Sequence, residues 1–176
     1  DRYLLSEMTA YLEKTPILGE IGMDSTWCSV DLDCQRRIFI EQLELAEERG
    51  CPVMLHTKGQ EKEIAHMIHT YTMPVIVHWY SSMDYLDQYL ERDCFFTIGP
   101  DVRINPAVQQ VVTKAPLDRL LVETDGLAAI EWALGRKALS EDWPALLLDG
   151  VDYVAEIKAV SRDRVLKEMH LSSKIG

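Results

Sequence analysis

The sequence is sparing with every feature that would take it out of the ordinary globular class. Among its 176 residues are four cysteines, Cys28, Cys34, Cys51 and Cys94, and no Cys-x-x-Cys spacing. That excludes a zinc ribbon and supplies no disulfide framework, so a reducing cytoplasm is the expected compartment. No apolar run reaches the roughly 20 residues of a membrane span, so no membrane partner is expected. Positive charge is scarce as well. Eighteen Lys and Arg stand against 29 Asp and Glu, a formal charge of −11. This disfavours the broad, sequence-independent grip on nucleic acid that a basic surface provides. Phosphate chemistry stays open, because bound divalent cations reverse the local field. Repeats, low-complexity tracts and flexible linkers are lacking too, so one domain over residues 1–176 with one sizeable core is expected.

What the chain does have is a set of short apolar runs that end in metal-capable residues. They read Ile17-Leu18-Gly19-Glu20, Val53-Met54-Leu55-His56, Val75-Ile76-Val77-His78 and Leu120-Leu121-Val122-Glu123-Thr124-Asp125. Runs of this length and composition suit strands buried on both faces, as in parallel sheets. With Phe95-Phe96-Thr97-Ile98 they give five expected strands, at 17–22, 53–56, 75–78, 95–98 and 120–124. Helical patterns alternate with them, the signature of βαβ units.

Local signals mark the helices. Asp31 or Asp33 can cap a helix with Leu32, Phe39, Leu43 and Ala46 on one face, closed by Gly50 before Pro52. Ile64, Ile68 and Tyr71 form a stripe over 60–71, and Ser81 or Ser82 precedes Met83, Leu86 and Leu90. Asn105-Pro106 pairs a cap with proline at the first helical position, ahead of Val108, Val111 and Val112. Beyond Asp125 the pattern turns helical, with a break at Gly135-Arg136-Lys137, a start near Pro144 and a last cap at Ser161. Residues 1–15 resemble a helix preceding a strand, so the chain is expected to begin in mid-fold.

A carboxylate or imidazole at a buried strand end is costly unless paired or coordinated. In a parallel α/β barrel the C-terminal strand ends converge on one rim. Glu20, His56, His78 and Asp125 are spaced 36, 22 and 47 residues apart, which fits one βα unit, one unit, then two. The skipped unit ends at Ile98-Gly99 and offers no ligand. The pattern points to a Glu/His/His/Asp centre for a divalent metal. His66, His69 and His170 fit solvated helix positions and are assigned no site.

These residues resemble the TatD-type metal-dependent deoxyribonucleases of the amidohydrolase superfamily. Gly19-Glu20-Ile21-Gly22-Met23-Asp24 is similar to the family's GEIGLD motif, and Gln35, Phe39, Gln42, Leu43, Leu45 and Ala46 to its Q-x-x-x-F-x-x-Q-L-x-L-A helix. Pro52-Val53-Met54-Leu55-His56 and Val77-His78 resemble its two histidine strands, and Pro116-Leu117-Asp118-Arg119-Leu120-Leu121-Val122-Glu123-Thr124-Asp125 its P-L-D-R-L-L-x-E-T-D segment.

The resemblance implies an α/β fold, a TIM-type (β/α)8 barrel of which the first three βα units are not in this chain. Such a barrel usually needs about 250 residues. It implies one or two divalent ions, Zn, Mg or Mn, with Glu20 bridging, His56 and His78 completing one position, and Asp125 on the other side as general base. The family's His-x-His pair has no counterpart here. The implied reaction is hydrolysis of DNA phosphodiester bonds, in single strands or at ends, by metal-activated water. Lys58 is a candidate phosphate contact, and Trp79 and Tyr80 are candidates for stacking on a base. Two departures bear on substrate: Trp79-Tyr80-Ser81-Ser82 replaces Cys-Phe-Ser-Gly, and Gly126-Leu127 replaces Ala-Pro. Two other readings accompany this one: hydrolysis of a small phosphoester, ester or amide, and a partial, non-catalytic barrel serving as an interaction module. Either the missing units or another chain, such as a second copy, is expected to cover the strands nearest Glu20 and Asp125.

Overall fold

The structure is a computed structural model and describes residue 11 and residues 14–172. The helix expected over residues 1–15 lies mostly outside the described residues. Two compact units make up the rest. One holds the residues up to His78 together with Asp87–Cys94, the other Trp79–Leu86 and the residues from Phe95 onward.

In the first unit, β1 (Leu18–Asp24), β2 (Val53–Lys58) and β3 (Val75–Val77) pair in parallel in sequence order. Helix α1 (Leu32–Arg49) links β1 to β2, and α2 (Glu61–Ile68) links β2 to β3. The open choice of cap at α1 resolves cleanly. Asp31 is the cap, its carboxylate accepting from the Asp33 and Cys34 backbone N–H groups at 3.0 and 3.2 Å. Gly50 ends the helix at φ 62°, a left-handed conformation that glycine adopts at no steric cost. Phe39, Leu43 and Ala46 are buried as their spacing requires, as are Leu18, Ile21, Val53 and Leu55 of the strands.

Helix α2 is shorter than its apolar stripe. It stops at Ile68, and Tyr71 falls in the following turn. That turn is fixed by side chains instead. Glu47 accepts from the Thr72 N–H and hydroxyl and from the Met73 N–H, while Arg92 donates to the Tyr71 and Met73 carbonyls at 2.8 and 2.9 Å. Helix α3 is likewise confined to Leu86–Glu91, leaving Met83 outside it and exposed. Ser82 spends its hydroxyl on the Asp84 N–H, a local turn that competes with helix.

In the second unit β4 (Phe95–Ile98) and β5 (Leu120–Val122) pair in parallel around α4 (Pro106–Lys114). Asn105 caps α4 through the Ala107 N–H at 3.0 Å, and Val108, Val111 and Val112 are buried. Three helices follow: α5 (Gly126–Leu134), α6 (Trp143–Lys158) and α7 (Arg162–Ser172). Gly135 ends α5, Pro144 lies in the first turn of α6, and Ser161 accepts from the Arg164 N–H ahead of α7. No helix among the described residues is long and apolar enough to cross a membrane.

The expected strands are all present, but β1 runs four residues past Glu20 and β2 two past His56. Their ladder continues as Gly22 with His56, Met23 with Thr57 and Asp24 with Lys58. Glu20 and His56 therefore stand inside the paired strands, and Asp24 and Lys58 close them.

Candidate metal centre

An irregularity in β1 positions the first donor. Between Leu18 and Ile21 the β1–β2 register slips, three residues of β1 spanning two of β2. Such a bulge re-aims a side chain, and here it turns Gly19 and Glu20 out of the core while Leu18 and Ile21 stay buried. Gly22 then lets the strands close up. Its φ is 147°, and a Cβ there would stand 2.0 Å from the His56 carbonyl oxygen. Only glycine fits.

In the first unit Glu20 faces two imidazoles. His56 Nδ1 lies 3.7 Å from Glu20 Oε2, and His78 Nε2 lies 3.6 Å from Glu20 Oε1. His78 is buried, its N–H continuing the ladder to the Leu55 carbonyl at 2.9 Å. The separations exceed good hydrogen-bond distance. Two donors on a common tetrahedral ion at about 2.0–2.1 Å would stand roughly 3.3 Å apart, close to each of these two separations. Two imidazoles and a carboxylate are a donor set that suits a divalent ion.

The far side of the His56 ring supports the same reading. His56 Nε2 lies 3.0 Å from Asp24 Oδ2, so a proton on Nε2 leaves the Nδ1 lone pair facing Glu20. A carboxylate that holds one imidazole nitrogen and so presents the other is the usual companion of a metal-bound histidine. Asp24 Oδ1 accepts from the Thr26 and Trp27 N–H groups at 2.7 and 2.8 Å. Gln35 of α1 grips the Asp24 backbone, accepting from its N–H at 2.8 Å and donating to its carbonyl at 3.0 Å. The glutamine of the helix motif thus locks the end of β1.

The electrostatics follow from these contacts. Pairing with His56 holds the Glu20 carboxyl below its ordinary value against partial burial, with the His78 charge adding to the effect. The His56 imidazolium is favoured in turn, by Glu20 most of all, against desolvation and with Asp24 assisting. At Asp24 burial works upward, but the Trp27 and Thr26 N–H groups and His56 outweigh it.

The second unit treats its acids differently. Asp125 follows β5 at the start of α5 with φ 52°, and its side chain makes no capping bond to that helix. A non-glycine residue in left-handed backbone is uncommon, and such residues cluster at functional sites. Glu123 is turned to structure. Its Oε1 accepts from the Thr97 hydroxyl at 2.5 Å, and Thr97 Oγ1 accepts from the Trp79 N–H at 3.0 Å.

Trp79 is buried, with Nε1 donating to Asp101 Oδ1 at 2.8 Å and its ring filling the space a Cβ on Gly99 would need. Tyr80 is also buried, its hydroxyl donating to the Asp84 carbonyl and its ring edge-on to Phe96. Lys58, at the end of β2, places Nζ 5.4 Å from the centroid of the Trp27 ring. Trp27 escaped the sequence reading, since a lone aromatic in a polar loop carries no periodic signal. Cys94 is a buried thiol pushed up to about 12 by desolvation, an inert core residue.

Parallel strands alternating with helices, and acid and imidazole groups drawn together across three neighbouring strands, define the class: an α/β protein built to hold a divalent cation. Comparison with known proteins gives the family. The family model for TatD related DNases matches residues 3–173, and the chain belongs to that family. An uncharacterized metal-dependent hydrolase, YabD of Bacillus subtilis, is 27% identical over 69% of this chain and 49% of its own length. The Deoxyribonuclease TATDN3 of Homo sapiens is 22% identical over 89% of this chain and 58% of its own. The chain thus spans about half the length of the curated relatives it matches. The crystal structure of the TatD homologue YjjV from Escherichia coli K12 superposes with a TM-score of 0.80 at 22% identity, covering 96% of this chain and 68% of that one. The fold is therefore the α/β, TIM-barrel type of the TatD proteins.

Proposed function

We propose that this chain carries the Glu/His/His side of the metal centre of a TatD-type hydrolase that cleaves DNA phosphodiester bonds. The convergence of His56 Nδ1 and His78 Nε2 on the two oxygens of Glu20 carries the reading. Family membership, and the deoxyribonuclease and metal-dependent hydrolase names of the relatives, support it. Glu20, His56 and His78 would hold one divalent ion, Asp125 would hold the other side of the centre, and one or two ions of Zn, Mg or Mn suit the donor types. When bound, such an ion polarises the phosphoryl oxygen and lowers the pKa of a water molecule.

The chain's own groups do the rest. Asp24 fixes the His56 tautomer, and Glu20, kept ionised, is ready to coordinate. Asp125 is assigned as the carboxylate that accepts the proton of the attacking water. Lys58 is assigned to the phosphate of the substrate strand. Trp79 and Tyr80, whose polar groups are engaged inside the protein, serve as buried supports of the loop they occupy.

The test sets a short DNA strand with Mg²⁺ or Mn²⁺ against small chromogenic esters, with wild-type protein and Glu20→Ala. DNA hydrolysis that disappears in Glu20→Ala is the expected result. Ester turnover alone, abolished by the same substitution, would replace the nuclease reading with a small-ester hydrolase.

A further inference from the structure

The loop leaving β1 carries a large ring that the core does not use. Trp27 is 59% exposed, and the loop beneath it is clamped on several sides. Its N–H and that of Thr26 are held by Asp24 Oδ1, while the other oxygen of the same carboxylate holds His56. The neighbouring Ser25 donates its backbone N–H to the Lys58 carbonyl at 3.0 Å and its hydroxyl to the Gly59 carbonyl at 3.2 Å. Gln60 closes the clamp by donating to Ser25 Oγ at 2.9 Å. Asp24 therefore sets both the His56 ring and the loop that bears Trp27. The two rings stand 6.2 Å apart at an interplanar angle of 52°, with Lys58 Nζ 5.4 Å from the indole centroid.

An exposed indole on a hydrogen-bonded loop, beside the acid–imidazole cluster and with the Lys58 ammonium over its ring, offers what a nucleotide requires. One group meets the base face and another the phosphate. We propose that Trp27 is a stacking platform for a base of single-stranded DNA, with Lys58 taking the adjoining phosphate. This rests on the phosphodiesterase reading of the site and names the residue that selects its substrate. A duplex hides its base faces in the stack, so the platform selects unpaired strands or frayed ends. It would also let a chain of charge −11 bind a strand without a broad basic surface.

The experiment is binding of a fluorescently labelled, phosphorothioate-linked oligothymidylate in Mg²⁺ buffer, followed by anisotropy. Trp27→Ala is expected to weaken binding roughly 5- to 100-fold, Trp27→Phe to retain most of it, and neither to shift the melting temperature appreciably, because the ring is exposed. Single abasic substitutions are then walked along the strand. At one position the loss should not add to that of Trp27→Ala, as two partners of one contact require. Few phosphates are gripped, so the salt dependence should be shallow, with a log–log slope near −0.7 for each one neutralised. Equal affinity of wild type and Trp27→Ala, or additive losses at every abasic position, overturns the platform and leaves the nuclease reading standing. No binding of any strand by wild type overturns both.

Discussion

The two units of the molecule handle their acids in opposite ways. In the first, Glu20 is turned out of the core by a strand irregularity and faces two imidazoles at 3.6 and 3.7 Å. In the second, Glu123 is consumed by a short hydrogen bond from Thr97, which also holds the Trp79 backbone. Both acids follow apolar runs and both sit in motifs that resemble the same family. The lesson is that position at a strand end does not decide a role; what the carboxylate oxygens already bind does.

The sharpest way to break this comparison is to remove the shared acid of the first unit. Glu20→Ala is expected to lower divalent-metal affinity by more than the about 10–100-fold that loss of a supporting partner costs, measured by competition with a chromogenic chelator. His56→Ala should behave alike. Unchanged affinity in both would mean that the cluster is an ion pair rather than a metal site. One step out, Asp24→Asn keeps the shape but weakens the hold on His56 Nε2. Its expected effect is a roughly 10–100-fold loss of metal affinity, with little loss of folding stability.

The second unit gives the reciprocal case. Thr97→Val preserves volume but deletes the hydroxyl that bridges Glu123 and the Trp79 N–H. A buried N–H left without its acceptor costs about 1–3 kcal/mol, so denaturant unfolding should reveal the change. Metal affinity should move less than in Asp24→Asn. A larger metal effect than stability effect would place Glu123 among the ligands.

Much of this was legible beforehand, for physical reasons. Buried parallel strands are near-continuous apolar runs, so all five were found, and proline and glycine punctuated the helices at Asn105-Pro106 and Gly50. Glu20, His56 and His78 stood out as candidate ligands because ionisable groups are rare beside such runs. What stayed hidden depends on contacts distant in sequence. The register slip that aims Glu20 needs two strands, the choice of His56 nitrogen needs Asp24, and the end of α2 at Ile68 needs Glu47 and Arg92. The burial of Trp79 is set by Thr97 and Asp101, which no pattern around Trp79 could reveal.

A last, smaller prediction separates two kinds of acid within the first unit itself. Glu47 binds no imidazole. The Thr72 hydroxyl and N–H and the Met73 N–H donate to it, and these bonds hold its carboxyl below the ordinary value of 4.5. A carboxylate whose pKa is depressed on folding adds stability that is fully present above its unfolded pKa and is lost as pH falls through its folded one. Glu47→Gln should therefore lower the melting temperature slightly at neutral pH. The gap to wild type should close as the solution is acidified below pH 4.5. Chelation of divalent metal should leave that gap untouched, whereas it should erase any stability difference between wild type and Glu20→Ala that arises from bound metal. A Glu47→Gln gap that vanished on chelation would tie the β3 turn to the metal site and remove the distinction.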